Sequence, residues 1–191
     1  QNTVRVRRHG HKVSLAWLPA DLVEQEDAMA RWAEAFAHDV LVADGRGCMS
    51  LRALLTDVSP GGERGRDLMR HLAQGMATVA ARYHSGSIVP SDLASRRLFW
   101  EEAAFGAANT PSQVVVCRDV QADWGLVMRS TNSPLDLSTL GPGSRYLAVC
   151  SLARPVDLQR ILAPLRGHLS TLARPQRCAM AIDEQALAAA R

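Results

Sequence analysis

The residues best suited to chemistry are concentrated in one short run, Asp44-Gly45-Arg46-Gly47-Cys48-Met49-Ser50. A thiol here follows a Gly-x-Gly turn, after an amphipathic stretch and directly before the apolar run from Leu51 to Thr56. Glycines allow positive φ and leave backbone amides uncovered, so the Cys48 N–H can face an oxyanion while its sulfur attacks. The pattern predicts nucleophilic acyl chemistry with Cys48 as the nucleophile. Arg46 adds a permanent cation two residues away, and cations and exposed amides favour the thiolate. A loop at the end of a sheet is also where α/β proteins place reacting groups. The plain alternative is a small apolar residue closing a tight turn, the usual fate of a free cysteine.

The other reactive types are scattered. Cys117, Cys150 and Cys178 form no Cys-x-x-Cys pair, so the spacing offers neither a zinc site nor a dithiol redox motif, and these three thiols are expected to be structural. Four cysteines in 191 residues are too few for a secreted disulfide scaffold, which points to reduced thiols and a cytoplasmic chain. The six histidines, at 9, 11, 38, 71, 84 and 168, lack metal-ligand spacing, so no metal is expected. There is no Gly-x-Ser-x-Gly elbow, no His-Glu-x-x-His and no Gly-x-Gly-x-x-Gly. Lys12 is the sole lysine, which excludes a phosphate-binding loop and confines Schiff-base chemistry to one residue.

The elements that must hold Cys48 follow from periodicity. Lys12 to Leu18 reads as a strand, as does Thr3 to Arg7 before it. Asp21 with Glu24 forms a capping box opening a helix whose Met29, Trp32, Ala33, Phe36 and Val40 share one face. After the Cys48 turn, Leu51–Thr56 is a buried strand, and Pro60-Gly61-Gly62 a loop. A helix then carries Leu68, Leu72, Met76, Val79 and Tyr83 on one side, and Ser91 caps another through about Phe105. Strands are expected at Gln113–Cys117 and Tyr146–Leu152, and helices at Asp119–Met128 and Pro155–Leu165. A strand from Arg177 to Ile182 and an Ala-rich helix close the chain. Buried strands alternating with amphipathic helices predict an α/β fold with a mostly parallel sheet and flanking helices. Leu51–Thr56, Val114–Cys117 and Tyr146–Leu152 are expected as neighbouring buried strands. The length fits one domain, 1–191, and both ends read as cut from a longer protein. No apolar run is long enough for a membrane span, and a net charge of +3 gives no reason to expect nucleic acid.

Several runs together resemble the bacterial bioluminescence-type fatty acyl-CoA reductases of the aldehyde dehydrogenase superfamily. They are Gly10-His-Lys-Val-Ser14, Ala37-His-Asp-Val40, the turn from Asp44 to Ser50, Val114 to Val120 and Leu162 to Thr171. The resemblance implies the catalytic domain of such a reductase, with the dinucleotide-binding half absent from this chain. It implies NADPH as cofactor, a fatty acyl-CoA or other acyl donor as substrate, and an acyl-transferring protein and further copies of the chain as partners. The thiolate of Cys48 would attack the thioester, and hydride delivered to the acyl-enzyme would give a thiohemiacetal that releases aldehyde. With no glycine-rich turn, the chain alone is not expected to bind NADPH tightly.

Departures from the superfamily pattern carry information. Oxidising members have a Glu-Leu-Gly-Gly-Lys motif whose glutamate activates water; the counterpart here is Arg8-His9-Gly10-His11-Lys12, without a glutamate. That suits a reductase, which must keep water off its thioester, and leaves His11 or His9 as the base near Cys48, with His38 a third candidate. Leu140-Gly141-Pro142 corresponds to the superfamily's Gly-Pro turn, again without the glutamate that precedes it, so a ribose contact there is not expected. Three rivals remain open: an acyl phosphate reductase of the γ-glutamyl phosphate type, a non-catalytic assembly domain, and a cysteine acyltransferase or thioesterase needing no nucleotide.

Overall fold

The computed structural model describes residues 12–174, apart from 136, 138, 139 and 155–157. A six-stranded sheet of order β3-β4-β5-β2-β1-β6 is sandwiched between two helical layers. Its strands are β1 (Val13–Leu18), β2 (Leu51–Thr56), β3 (Val114–Asp119), β4 (Trp124–Thr131), β5 (Tyr146–Leu152) and β6 (Leu169–Ala173). All neighbours are parallel except β3 and β4, which form an antiparallel hairpin. The helices are α1 (Ala20–Val23), α2 (Glu26–Leu41), α3 (Glu63–Ala80), α4 (Pro90–Asn109) and α5 (Leu158–Leu162).

The central strands are mostly apolar because both faces are covered. Ala16, Leu18, Leu54, Leu147 and Val149 face α2 and α3, whereas Leu15, Trp17, Leu55, Ala148 and Cys150 face α4 and α5. Among the described residues, no helix is long and apolar enough to cross a membrane.

Five expectations need correction. Asp119–Met128 is the turn and returning strand of the β3–β4 hairpin, not a helix. Val114–Cys117 lies in the same sheet as β2 and β5 but as its half-buried edge, separated from β5 by β4. Asp21 caps nothing: the chain forms the short α1, breaks, and restarts at Glu26, and the Ala20 N–H is held by Asp57 Oδ1 at 2.7 Å. Pro90, not Ser91, opens its helix, its missing N–H being harmless at the first position. Tyr83 lies beyond the end of α3. The expected Thr3–Arg7 and Arg177–Ile182 strands and the final helix lie outside the described residues.

Two thiols are disfavoured as thiolates, Cys150 buried and Cys117 half-buried. Burial pushes the Cys150 thiol up to about 12, with Arg129 opposing, and burial followed by the Asp119 carboxylate raises that of Cys117. Cys48 is exposed. Alkylation of the folded protein should therefore modify Cys48 at least about tenfold faster than Cys150. Comparable rates at the two thiols, read by peptide mass, would contradict this. Cys178 lies outside the described residues.

Candidate active site

Helix α2 ends at Leu41, and the chain turns through residues 42–45 into the Cys48 loop. Ala43, Asp44 and Gly45 all have positive φ, at 53°, 54° and 65°. A second such run, Gly143, Ser144 and Arg145 (68°, 49°, 71°), immediately precedes β5. Asp123 before β4, Gly141 before β5 and Gly167 before β6 share the conformation. Among the described residues, every positive φ thus lies in a loop entering the sheet at the amino end of a strand. Such backbone costs of order 1–3 kcal/mol per non-glycine residue and collects at functional sites.

Cys48 sits on this edge. Its turn is closed by the Ser50 N–H donating to the Gly47 carbonyl at 3.0 Å. The Ser14 hydroxyl of β1 donates to the Cys48 carbonyl at 2.8 Å and ties the turn to the sheet. Among the described residues, the Gly47 and Cys48 N–H groups meet no acceptor, leaving two donors beside an exposed sulfur. Met49, 62% exposed, lays its sulfur against the Ser170 and Thr171 hydroxyls of β6 at 3.8 and 3.6 Å. The edge is the amino-terminal one, opposite to the carboxyl edge where open α/β sheets usually bind ligands.

Register breaks shape the same corner. Ser14 pairs with Leu51 but Leu15 with Ala53, which leaves Arg52 as the extra, bulged residue of β2. Bulges re-aim side chains. Arg52 Nη2 donates to the Gly141 carbonyl at 2.8 Å, and a Cβ on Gly143 would lie 2.8 Å from the guanidinium carbon. Burial pushes this guanidinium below the usual arginine range. Arg52 therefore holds the Gly141-Pro142-Gly143 turn beside the Cys48 loop.

Among the described residues Arg145 is the deepest charge, 0% exposed, and its donors reach the Asp123, Ala122 and Leu41 carbonyls and Asp44 Oδ1. Asp123 also takes both oxygens to Arg96 Nη1, at 2.8 and 2.9 Å. Asp44 opens the run read from the sequence and Ser14 closes one of the runs that carry the resemblance, but neither was given a role there, and Arg52 and Arg145 were not singled out. No local pattern marks their partners, which lie 34, 89 and 101 residues away for Ser14, Arg52 and the Asp44–Arg145 pair.

Other expected residues are not gathered here. Arg46 turns away from Cys48 to the Ser87 carbonyl and Asp92, at 3.3 and 3.4 Å, so Asp92 balances its charge. The His38 ring stands edge-on to Tyr83, 5.6 Å between centroids, and no contact joins it to the Cys48 turn. His9 and His11 lie outside the described residues.

Ala43 is exposed and held at φ 53° without glycine's freedom. Ala43→Gly should stabilise the fold by about 0.5–1 kcal/mol, strain relief outweighing the looser unfolded chain. Differential scanning calorimetry should show a Tm about 2 °C higher. A lower Tm would contradict the left-handed assignment.

The passage from β2 to α3 does not fit a pyrophosphate. The passage from β2 through Pro60-Gly61-Gly62 to α3 is the closest to a phosphate cradle, but a Cβ on Gly61 would lie 2.8 Å from Ser112 backbone atoms. The Gly65 position is filled by the Ser59 and Pro60 carbonyls, and Glu63 puts a carboxylate in the first turn, where an anion would otherwise bind. These glycines serve close packing.

Comparison with known proteins gives two findings. The profile of the acyl-CoA reductase (LuxC) family matches residues 1–190. Among solved structures, the chain is similar to the aldehyde dehydrogenase KauB of Pseudomonas aeruginosa, with 11% identity, a TM-score of 0.53, and coverage of 88% of this chain and 38% of that one. It is also similar to a NAD-dependent benzaldehyde dehydrogenase of Corynebacterium glutamicum (13%, TM-score 0.52, 93% and 37%). An indole-3-acetaldehyde dehydrogenase of P. syringae, in complex with NAD+ and IAA, gives 8% identity and a TM-score of 0.52, over 88% and 38%. At these identities the likeness is one of fold, and the chain spans less than two fifths of each of these proteins. A search of curated proteins finds no match.

Proposed function

The chain belongs to the acyl-CoA reductase (LuxC) family, and from that premise we propose that it is the catalytic portion of an enzyme reducing a fatty acyl thioester to an aldehyde through an acyl-enzyme on Cys48. The observation that carries the proposal is the exposed Cys48 just beyond the strained residues 43–45, beside two backbone donors and clamped to β1 by Ser14. Reduction needs a hydride donor. We assign that role to NADPH held mainly outside this chain; a nicotinamide donor of this class is supported by the dehydrogenases of like fold named above, one NAD-dependent and one in complex with NAD+. We also propose a cytoplasmic setting, which the sparse cysteines without a Cys-x-x-Cys pair support.

The chemistry assigned to this chain is acyl transfer. The Cys48 thiolate adds to the thioester carbonyl, and the carbonyl oxygen becomes an oxyanion within reach of the Gly47 and Cys48 N–H groups. Collapse breaks the carbon–sulfur bond to CoA, which leaves as a thiolate and takes up a proton. The exchange of one thioester for another is nearly balanced, so positioning decides its rate. His9 or His11 is the base in this reading, because the His38 ring stands against Tyr83.

The test compares acyl donors by intact mass. A long-chain acyl-CoA should add one acyl group to the protein, and an acyl phosphate should do so at least about tenfold more slowly. Preference for the phosphate would favour a γ-glutamyl phosphate type of reductase. Steady CoA release without acyl-protein would indicate a thioesterase, and inertness to both donors an assembly domain.

A further inference from the structure

We propose that Asp44 and Arg145 form a buried clasp that positions the Cys48 turn for acyl transfer, a role distinct from holding the fold together. The proposal rests on the reading of Cys48 as the nucleophile.

Each residue ends or interrupts a left-handed run, Ala43-Asp44-Gly45 and Gly143-Ser144-Arg145, and the two runs are packed against each other. A Cβ on Gly45 would lie 3.4 Å from the Ser144 nitrogen, 3.5 Å from that of Arg145 and 2.8 Å from the Val40 carbonyl, so the two backbones approach closely here. Isolated left-handed residues persist only where their surroundings over-determine them. Here the surroundings are electrostatic. Arg145 Nη1 reaches Asp44 Oδ1 at 3.4 Å and the Leu41 carbonyl, the last turn of α2, at 3.5 Å. Its Nε and Nη2 donate to the Asp123 and Ala122 carbonyls at 2.9 and 3.1 Å. A guanidinium with no solvent exposure needs every one of these acceptors. Asp44 in turn accepts the Gly86 N–H at 3.1 Å, which ties in the loop after α3.

The clasp thus joins the end of α2, the β3–β4 turn, the entry to β5 and the loop after α3 at the residue where the chain departs toward Cys48. Four residues on, Ser14 holds the Cys48 carbonyl from the other side. Between these two anchors lies the turn bearing both the sulfur and the donors for the oxyanion. Misplacement of a reacting group by about 1 Å costs on the order of 10²-fold in rate.

The distinguishing variant is Asp44→Gly in the full-length protein. Glycine accepts a φ of 54° more readily than aspartate, so the backbone is not opposed, yet both side-chain anchors vanish. Asp44→Asn keeps an amide oxygen as acceptor and tolerates the same φ. We expect Asp44→Gly to lower the maximal rate of Cys48 acylation by long-chain acyl-CoA at least about tenfold. The half-saturating acyl-CoA concentration should stay within about threefold, because the clasp does not bind substrate. Iodoacetamide alkylation of Cys48, which needs a sulfur but no oxyanion donors, should also stay within about threefold. Asp44→Asn should recover most of the acylation rate. Wild-type acylation by Asp44→Gly, or parallel loss of acylation and alkylation, overturns the clasp while leaving the nucleophile in place. No acylation of Cys48 in the wild-type protein overturns both.

Discussion

Cys48→Ala should reduce acyl-CoA-dependent aldehyde formation by the full-length protein on the order of 10⁴–10⁶-fold, the scale on which a covalent nucleophile is missed. The side chain is exposed and makes no packing contact that the core depends on, so Tm should stay within about 1 °C. That combination separates loss of chemistry from loss of fold. Cys48→Ser should retain a trace of slow acylation, because a hydroxyl is far less ionised than a thiol. Aldehyde formation that survives Cys48→Ala within tenfold would assign the nucleophile elsewhere, and Cys117 and Cys150 are poor replacements because burial disfavours their thiolates.

The second large effect is on stability. Helices α2 and α3 cross where Gly75 meets Ala33: a Cβ there would lie 2.6 Å from the Ala33 carbonyl oxygen and 2.7 Å from its carbon. These are backbone atoms of a helix and cannot rotate away. Gly75→Val should cost about 3 kcal/mol through overpacking, lowering Tm by about 6–12 °C. Because α2 leads directly into the turn at 42–45, the same substitution should slow Cys48 acylation even well below the new Tm. A Tm within 2 °C of wild type would contradict the close crossing. Gly167→Ala is a useful contrast, since nothing lies within 4 Å of its Cβ position and only the φ of 83° opposes it.

The strands that carry the site were legible where burial on both faces left runs dominated by apolar residues. Leu51–Thr56 and Tyr146–Leu152 are such runs, and their bounds in the structure are those expected. The hairpin was not legible, because Asp119 imitates a helix start. Its Oδ1 accepts the N–H groups of Gln121 and Ala122, both at 2.9 Å, as a helix-capping aspartate would. The chain instead reverses at Asp123 with φ 54°, and Trp124, Leu126 and Met128 alternate onto one face of the sheet. Local side-chain–backbone bonds are common to both outcomes, and only the sheet decides between them.

The Cys48 turn itself was readable from Gly45, Gly47 and the thiol between a helix and a strand. Its support was not. Arg46 looked like the activating cation, but in the fold its charge goes to Asp92. Arg145, in an unremarked Gly-Ser-Arg stretch, has no exposure and reaches Asp44 across 101 residues of sequence. Arg52 acquires its direction only from a register break against β1. Each of these depends on pairings made by the folded sheet, which no local pattern encodes.

The acyl-enzyme on Cys48 is tested most directly by trapping it. The full-length protein is mixed with isotopically labelled long-chain acyl-CoA in the absence of a reductant, quenched in acid and digested with trypsin. Cleavage after Arg46 and Arg52 releases residues 47–52, a peptide with Cys48 as its one thiol. The account predicts one equivalent of acyl mass on that peptide, discharged when NADPH is added in step with the appearance of labelled aldehyde. Aldehyde formation with no acyl mass on residues 47–52 at any time, or acyl mass on another cysteine peptide, would contradict it.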